Sequence, residues 1–223
     1  MKELGIQLDR ERQARLGLDE AIFAAGKSTA QLGALVRDAV ERRERRLFTR
    51  LSPEQLAALD RHEREVIDYD AVSRTGIVGA PIEMSAAGVA VVGGGSSDIA
   101  VASEVLRTLA YHGQAALHVA DVGVAGLWRL LDRIEELRRM SVVVVVAGME
   151  GSLFSVVGGL VPGVVIALPT SVGYGVASGG HAALSSALAS CAPGVVAVNI
   201  DNGYGAACAA MRVLRGSGQC PRP

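Results

Sequence analysis

From about Gly88 onward the chain alternates short apolar runs with stretches that repeat at helical spacing. Gly88 to Val92 reads as a strand, Gly93-Gly-Gly-Ser-Ser-Asp98 as a loop, and Ile99 to Tyr111 as a helix. A second strand is predicted over Ala115 to Ala120 and a helix from about Val124 to Met140. The five valines Val142 to Val146 make a third strand, followed by a helix near Ser152 to Leu160 and a strand over Val164 to Leu168. A helix from about Gly179 to Cys191, a strand over Val195 to Val198 and a helix from about Gly203 to Leu214 complete the series. Strands that are apolar throughout, with helices between them, predict a doubly wound parallel sheet of about five strands. In such a sheet, ligands bind outside the carboxyl ends of the strands.

The front of the chain differs. Residues 1 to about 70 carry most of the charge, including the run from Arg37 to Arg46, with Leu32, Leu35 and Val36 at helical spacing among the charges. This pattern predicts a smaller, mainly helical N-terminal region whose charged faces are solvated and laced with i,i+4 pairs. Ser52-Pro53-Glu54 has the form of a helix start, with Ser52 as cap and Pro53 at the first position. Asp68 to Pro81 ends the region in Gly and Pro punctuation, as a linker or a short hairpin. The expected organisation is an N-terminal region and linker over 1–84, an α/β catalytic domain over 85–216 and a tail over 217–223.

Composition narrows the function classes. A net charge of −1 gives no electrostatic reason to expect nucleic acid or an anionic membrane as partner. Three cysteines are no disulfide framework and fit a reducing, cytoplasmic setting. Met1 to Arg15 is too polar for a signal peptide, and Ser141 to Pro169 reads as strand, loop, helix and strand rather than a membrane span.

The strand-end loops are the places for chemistry. Gly93 to Asp98 opens a helix, and its residues fit a phosphate site and a plain helix cap equally well. It is neither a Walker A loop nor a Rossmann glycine fingerprint. Glu150, in Ala147-Gly-Met-Glu-Gly-Ser152, is a lone carboxylate among glycines and apolar residues, where desolvation is expected to raise its pKa toward acid–base use; capping of a helix start is the alternative. The loop from Leu168 to Gly180 is long and rich in hydroxyls, with Tyr174 available for stacking on a ring. Asn199-Ile-Asp-Asn-Gly-Tyr-Gly205 ends the fifth strand with two amides and a carboxylate, in ligand contacts or in turn chemistry. Cys191 shares a helical face with Leu184 and Leu188, so the residues alone predict an inert buried thiol at a helix end. Cys208 and Cys220 carry less signal. No Cys/His cluster has metal-ligand spacing, and no Gly-x-Ser-x-Gly elbow is present.

Taken together, the strings Asp121-Val-Gly-Val-Ala-Gly-Leu127, Val146-Ala-Gly-Met-Glu-Gly151, Pro169-Thr-Ser-Val-Gly-Tyr-Gly175, Ser190-Cys-Ala192 and Val198-Asn-Ile-Asp-Asn-Gly-Tyr-Gly-Ala206 resemble the LarB family of nickel-pincer cofactor biosynthesis. Leu16-Gly-Leu-Asp-Glu-Ala-Ile-Phe23 is similar at the front, and the likeness spans nearly the whole chain. The C-terminal part is in turn similar to the PurE carboxylases and mutases, with Gly95-Ser-Ser-Asp98 in place of their substrate loop. The resemblance implies carboxylation of nicotinic acid adenine dinucleotide at pyridinium carbon 5 with carbon dioxide or bicarbonate. Its phosphoanhydride is hydrolysed, giving AMP and pyridinium-3,5-biscarboxylic acid mononucleotide. It implies Cys191 as nucleophile and Glu150 as acid–base group. Substrate contacts are expected from Gly95, Ser96, Ser97, Asp98, Asp121, Gly148, Met149, Ser171, Tyr174, Asn199, Asp201 and Asn202. Phosphoanhydride hydrolysis can recruit a divalent metal such as Mg2+, with Asp98 or Asp201 as possible ligands. A homo-octamer is implied by the PurE likeness. Phe154, Trp128 and His181 depart from the family pattern, in place of a proline, a histidine and an apolar residue. Ser152 replaces the PurE catalytic histidine, which disfavours a PurE-type mutase; a non-catalytic nucleotide-binding protein is the other alternative.

Overall fold

The computed structural model describes residues 1–218 and divides into two compact units, Met1–Glu83 and the chain from Met84 on. Cys220 and most of the expected tail lie outside the described residues.

The first unit contains α1 (Arg12–Leu16), β1 (Ile22–Phe23), α2 (Thr29–Arg42), β2 (Arg46–Thr49), α3 (Pro53–Ala57), α4 (Arg61–Glu65), β3 (Ile67–Asp70) and β4 (Thr75–Val78). It holds more helix than strand, but its helices pack on a four-stranded sheet of order β1-β2-β4-β3 that the charge-rich pattern conceals. The stretch read as linker or hairpin is a hairpin, β3 against β4. The Arg/Glu run is not one helix. It leaves α2 at Arg42, turns through Arg43 at φ 55° and enters β2, all four residues of which are buried. Asp38 makes this possible by pairing with Arg10, with Arg42 at i,i+4 and with the buried Arg46. Those guanidinium groups hold its carboxyl below the usual range despite partial burial. Both expected cap features are present: Ser52 accepts from Gln55 N at 3.2 Å, and Pro53 is the first helical residue.

The second unit is the doubly wound α/β domain. It runs β5 (Ser85–Gly93), α5 (Ile99–Tyr111), β6 (Gln114–Val119), α6 (Leu127–Leu131), α7 (Ile134–Leu137), β7 (Val142–Ala147), α8 (Ser152–Gly158), β8 (Val164–Pro169), α9 (His181–Leu188), β9 (Val195–Ala197) and α10 (Gly203–Gly216). All five strands are parallel, in the order β6-β5-β7-β8-β9. Chain order reverses beside β5, whose neighbours β6 and β7 are reached by crossovers on opposite faces. The valines of β7 are all fully buried. Val143 and Val145 face the layer built from Leu130, Leu137, Leu153, Phe154, Val157 and Ala183, while α5 and α10 pack on each other across the opposite face. Burial on both faces is why this strand shows no apolar–polar alternation. The helix expected over 124–140 is instead a 3-10 turn, α6 and α7. The helix expected over 179–191 ends at Leu188. Among the described residues, no helix is long and apolar enough to cross a membrane.

Candidate functional site

The loops that leave β5, β6, β7 and β8 at their carboxyl ends surround a cleft of about 550 Å3. It is lined by Gly94, Gly95, Ser97 and Asp98 after β5, by Gly123 to Ala125 after β6, by Ala147 to Leu153 around the β7 end, and by Val172 to Tyr174 after β8. This is the switch point of the sheet, where loops diverge and leave room for a ligand. Met149 turns at φ 51°, and the loops after β6 and β9 turn at Asp121 (φ 56°) and Asp201 (φ 55°). Left-handed backbone at non-glycine residues is uncommon, and it recurs here on one edge of the sheet.

Two carboxylates share the cleft in opposite states. Asp98 is 5 % exposed. Its Oδ1 accepts from the Thr170 hydroxyl at 2.7 Å and its Oδ2 from the Gly95 N–H at 3.0 Å. Desolvation pushes its pKa up and the nearby charge of Asp201 adds to this, while the two hydrogen bonds oppose it. Glu150 is exposed at the rim and accepts from the Ser152 hydroxyl at 2.6 Å. That bond, with a backbone N–H, holds its pKa below the ordinary value. The expectation that burial raises Glu150 is therefore corrected: its side chain points to solvent, and the carboxyl that burial raises is Asp98.

Gly148 allows the floor of the cleft to close. A Cβ there would sit 2.1 Å from the Val172 carbonyl oxygen and 2.7 Å from the Thr170 hydroxyl. Met149 N donates to that same carbonyl at 2.8 Å, which ties the β7 loop to the β8 loop.

Of the residues expected at the site, Gly95, Ser97, Asp98, Gly148, Met149, Glu150 and Tyr174 line the cleft. Ser96 is exposed next to it. Asp121 is drawn into a 2.6 Å ion pair with Arg129. The Ser171 N–H donates to Asp201 Oδ1 at 2.8 Å, bracing the β8 loop against the β9 loop. Asn202 caps α10 through Gly205 N at 2.8 Å, and Asn199 accepts from Ile200 N at 2.9 Å, so both do turn work beyond the cleft lining. Cys191 does not line the cleft either. It lies past the end of α9, in the connection that enters β9 from the amino side, and it is exposed rather than buried. Ser190 fixes that connection by a 2.8 Å hydroxyl contact with Ser155 of α8 and by accepting from Ala192 N at 3.2 Å. Thr170, which holds Asp98, is missing from the sequence-based set; its available signal was its place as the first residue past a buried strand. Among the described residues, no group of three or more His, Cys, Asp or Glu stands close enough to hold a metal ion. Asp98 and Asp201 belong to no such group, so they do not fit the expected role of metal ligands.

Comparison with known proteins gives two family matches. Residues 1–80 match the LarB/PurE-like N-terminal domain, and residues 88–219 match AIR carboxylase. An uncharacterized protein of Methanocaldococcus jannaschii is 34 % identical over 209 residues, covering 90 % of this chain and 80 % of its own. Among solved structures, a PurE2 variant of Treponema denticola (TM-score 0.47) and PurE of the same organism (TM-score 0.41) are each 22 % identical, covering 57 % of this chain and 79 % of theirs.

Proposed function

The chain belongs to the AIR carboxylase family in its LarB branch, a group of carboxylase-type enzymes acting on nucleotides, and from that premise we propose that it carboxylates nicotinic acid adenine dinucleotide at pyridinium carbon 5 and hydrolyses its phosphoanhydride, in the cytoplasm and for nickel-pincer cofactor biosynthesis. The observation that carries this reading is the Met149-Glu150-Gly151 turn lining a cleft at the sheet's switch point, in a chain whose front and back match the two domains of that branch.

The chemistry asks for a nucleophile and a base. A pyridinium carbon 5 is too electron-poor to attack carbon dioxide. Addition of a thiolate at carbon 4 gives a dihydropyridine whose ring nitrogen feeds electrons to carbon 5, and that carbon then forms the new C–C bond. A base next removes the carbon 5 proton, the C–H pair restores the 5,6 double bond, and expulsion of the thiolate returns the aromatic cation. Glu150 suits the base, because the Ser152 hydroxyl keeps it ionised and it stands at the rim, where the proton can pass to water. Cys191 is the proposed nucleophile. Since it does not line its own chain's cleft, the reading includes a homo-oligomer, an octamer by the PurE likeness, in which the thiol enters the cleft of a neighbouring copy.

Protein incubated with the dinucleotide and bicarbonate is expected to release AMP and a mononucleotide heavier by one carboxyl group, detected by mass spectrometry. Cys191→Ala and Glu150→Gln are each expected to abolish carboxylation, and co-expression of the two is expected to recover part of it in hybrid oligomers. Folded wild-type protein that forms neither product overturns the substrate assignment. Full activity of Cys191→Ala overturns the covalent route, and hybrids as dead as their parents overturn the shared site.

A further inference from the structure

Thr170 is the residue that follows β8, and it is completely buried. Its hydroxyl reaches Asp98 across 72 residues of chain, and the bond passes under the end of β7, the strand between β5 and β8. A residue at this place needs only volume to complete the core, which valine supplies as well as threonine. The hydroxyl adds one thing to that volume, a donor for Oδ1 of Asp98. With Gly95 N–H on Oδ2, each carboxylate oxygen has one protein donor and keeps one further lone pair, so the plane of the group is fixed. Asp98 lines the cleft, and those remaining lone pairs are what its floor offers to a ligand. The bare Cα of Gly148 leaves the Thr170 hydroxyl its passage.

We propose that Thr170 is a positioning residue of the cleft, holding the Asp98 carboxylate in one fixed orientation with its remaining lone pairs offered to the bound ligand. Thr170 itself touches no reacting atom. The charged groups around Asp98 are Asp201 on the loop after β9, Glu150 on the loop after β7, and Asp121 after β6, which Arg129 neutralises. Burial and the nearby charge of Asp201 favour the protonated acid, and the Thr170 bond works against them. Loss of the hydroxyl therefore moves the Asp98 titration upward.

The test is 13C NMR titration of the Asp98 carboxyl, assigned with Asp98→Asn, in wild type, Thr170→Val, Thr170→Ala and Thr170→Ser. An upward shift of the midpoint in the valine and alanine variants, with the serine variant returning to wild type, is the expected result. The kinetic arm rests on the carboxylase reading. The acid limb of the kcat/KM profile should shift upward with the NMR midpoint, and turnover should fall roughly tenfold to a hundredfold, as for loss of one hydrogen bond to a charged group. Serine should restore both. The NMR arm needs no turnover, so a wild type inert toward the dinucleotide sinks the carboxylase reading and leaves this one to be decided. An unmoved midpoint in whichever of the valine and alanine variants folds, or a serine variant that titrates like alanine, overturns the role of Thr170.

Discussion

Replacing Gly148 by alanine probes the closure of the cleft floor directly. The added Cβ meets the Val172 carbonyl oxygen at 2.1 Å, the Thr170 hydroxyl at 2.7 Å and the Val172 Cβ at 2.9 Å. The first of these is backbone, so no rotamer change relieves it, and the β7 and β8 loops must part by more than an ångström. Parting them strains or breaks the Met149 N–H bond to Val172 and the Thr170 bond to Asp98. Overpacking of this kind costs about 1–3 kcal/mol, and a lost hydrogen bond to a charged group about 1.5–3 kcal/mol. A destabilisation of about 3 kcal/mol lowers the melting temperature of a chain this size by roughly 6–12 °C. Gly95→Ala is the control, since a Cβ there meets only Asp98 Oδ2, at 3.9 Å, and φ is −145°. Differential scanning calorimetry of the three proteins checks the argument. A Gly148→Ala protein that melts with wild type, or a Gly95→Ala protein that falls as far, refutes the reading of Gly148 as the residue that lets the loops meet.

Asp98 carries a pH signature of its own. Its folded pKa lies above its unfolded value, so ionised Asp98 costs stability at neutral pH, and the cost disappears as the pH falls through the folded value toward the unfolded one. Denaturant unfolding over the acidic range should show wild type gaining on Asp98→Asn as the pH drops; a constant difference, or one of opposite slope, contradicts the burial argument. Cys191 is exposed and Cys208 only partly so. In a Cys220→Ser background an uncharged haloacetamide should alkylate Cys191 first in the folded protein, with the order lost in denaturant, and peptide mass spectrometry reporting Cys208 first would place the thiol wrongly.

The strands of the second unit were legible because burial on both faces leaves an uninterrupted apolar run. Val142 to Val146 is one such run, and every member is fully buried. The helix over Ile99–Tyr111 agrees to the residue. The break between α6 and α7 was hidden for a specific reason. Leu130 and Leu137, the two residues that bury there, are seven apart, a spacing that a continuous helix satisfies as well as two short ones do. The front sheet was hidden by its composition, since a strand that begins with a buried arginine and follows a run of charges looks like the solvated end of a helix until Asp38 is known to face it. In the site, the loops could be found from their glycines, but which carboxylate turned inward could not. Asp98 and Glu150 both sit next to helix starts on glycine-rich loops, and only the partner, Thr170 for one and Ser152 for the other, separates the buried acid from the exposed one.

The position of Cys191 was legible in principle from element order. In a parallel sheet, every strand-to-helix connection falls at the carboxyl edge and every helix-to-strand connection at the amino edge. The thiol lies between α9 and β9, so it belongs to the second class, while Gly95, Asp98, Glu150 and Tyr174 belong to the first. Within one copy, a ring seated among the strand-end loops and a sulfur on the way into β9 are at opposite edges of the sheet. The proposed reaction uses both, and it is compatible with this geometry when the sulfur and the loops come from different copies. Exposed apolar side chains lie on the elements either side of the thiol in the chain, Leu188 (72 % exposed) at the end of α9 and Val196 (50 %) in β9, and in the loop after β8, where Tyr174 (77 %) lines the cleft and Val176 (100 %) follows it. Exposed apolar side chains of this kind suit the proposed contact between copies. The hybrid of Cys191→Ala and Glu150→Gln therefore tests topology and chemistry together. On the proposed arrangement it holds sites in which an intact thiol from one chain faces an intact carboxylate from the other, which neither parent contains.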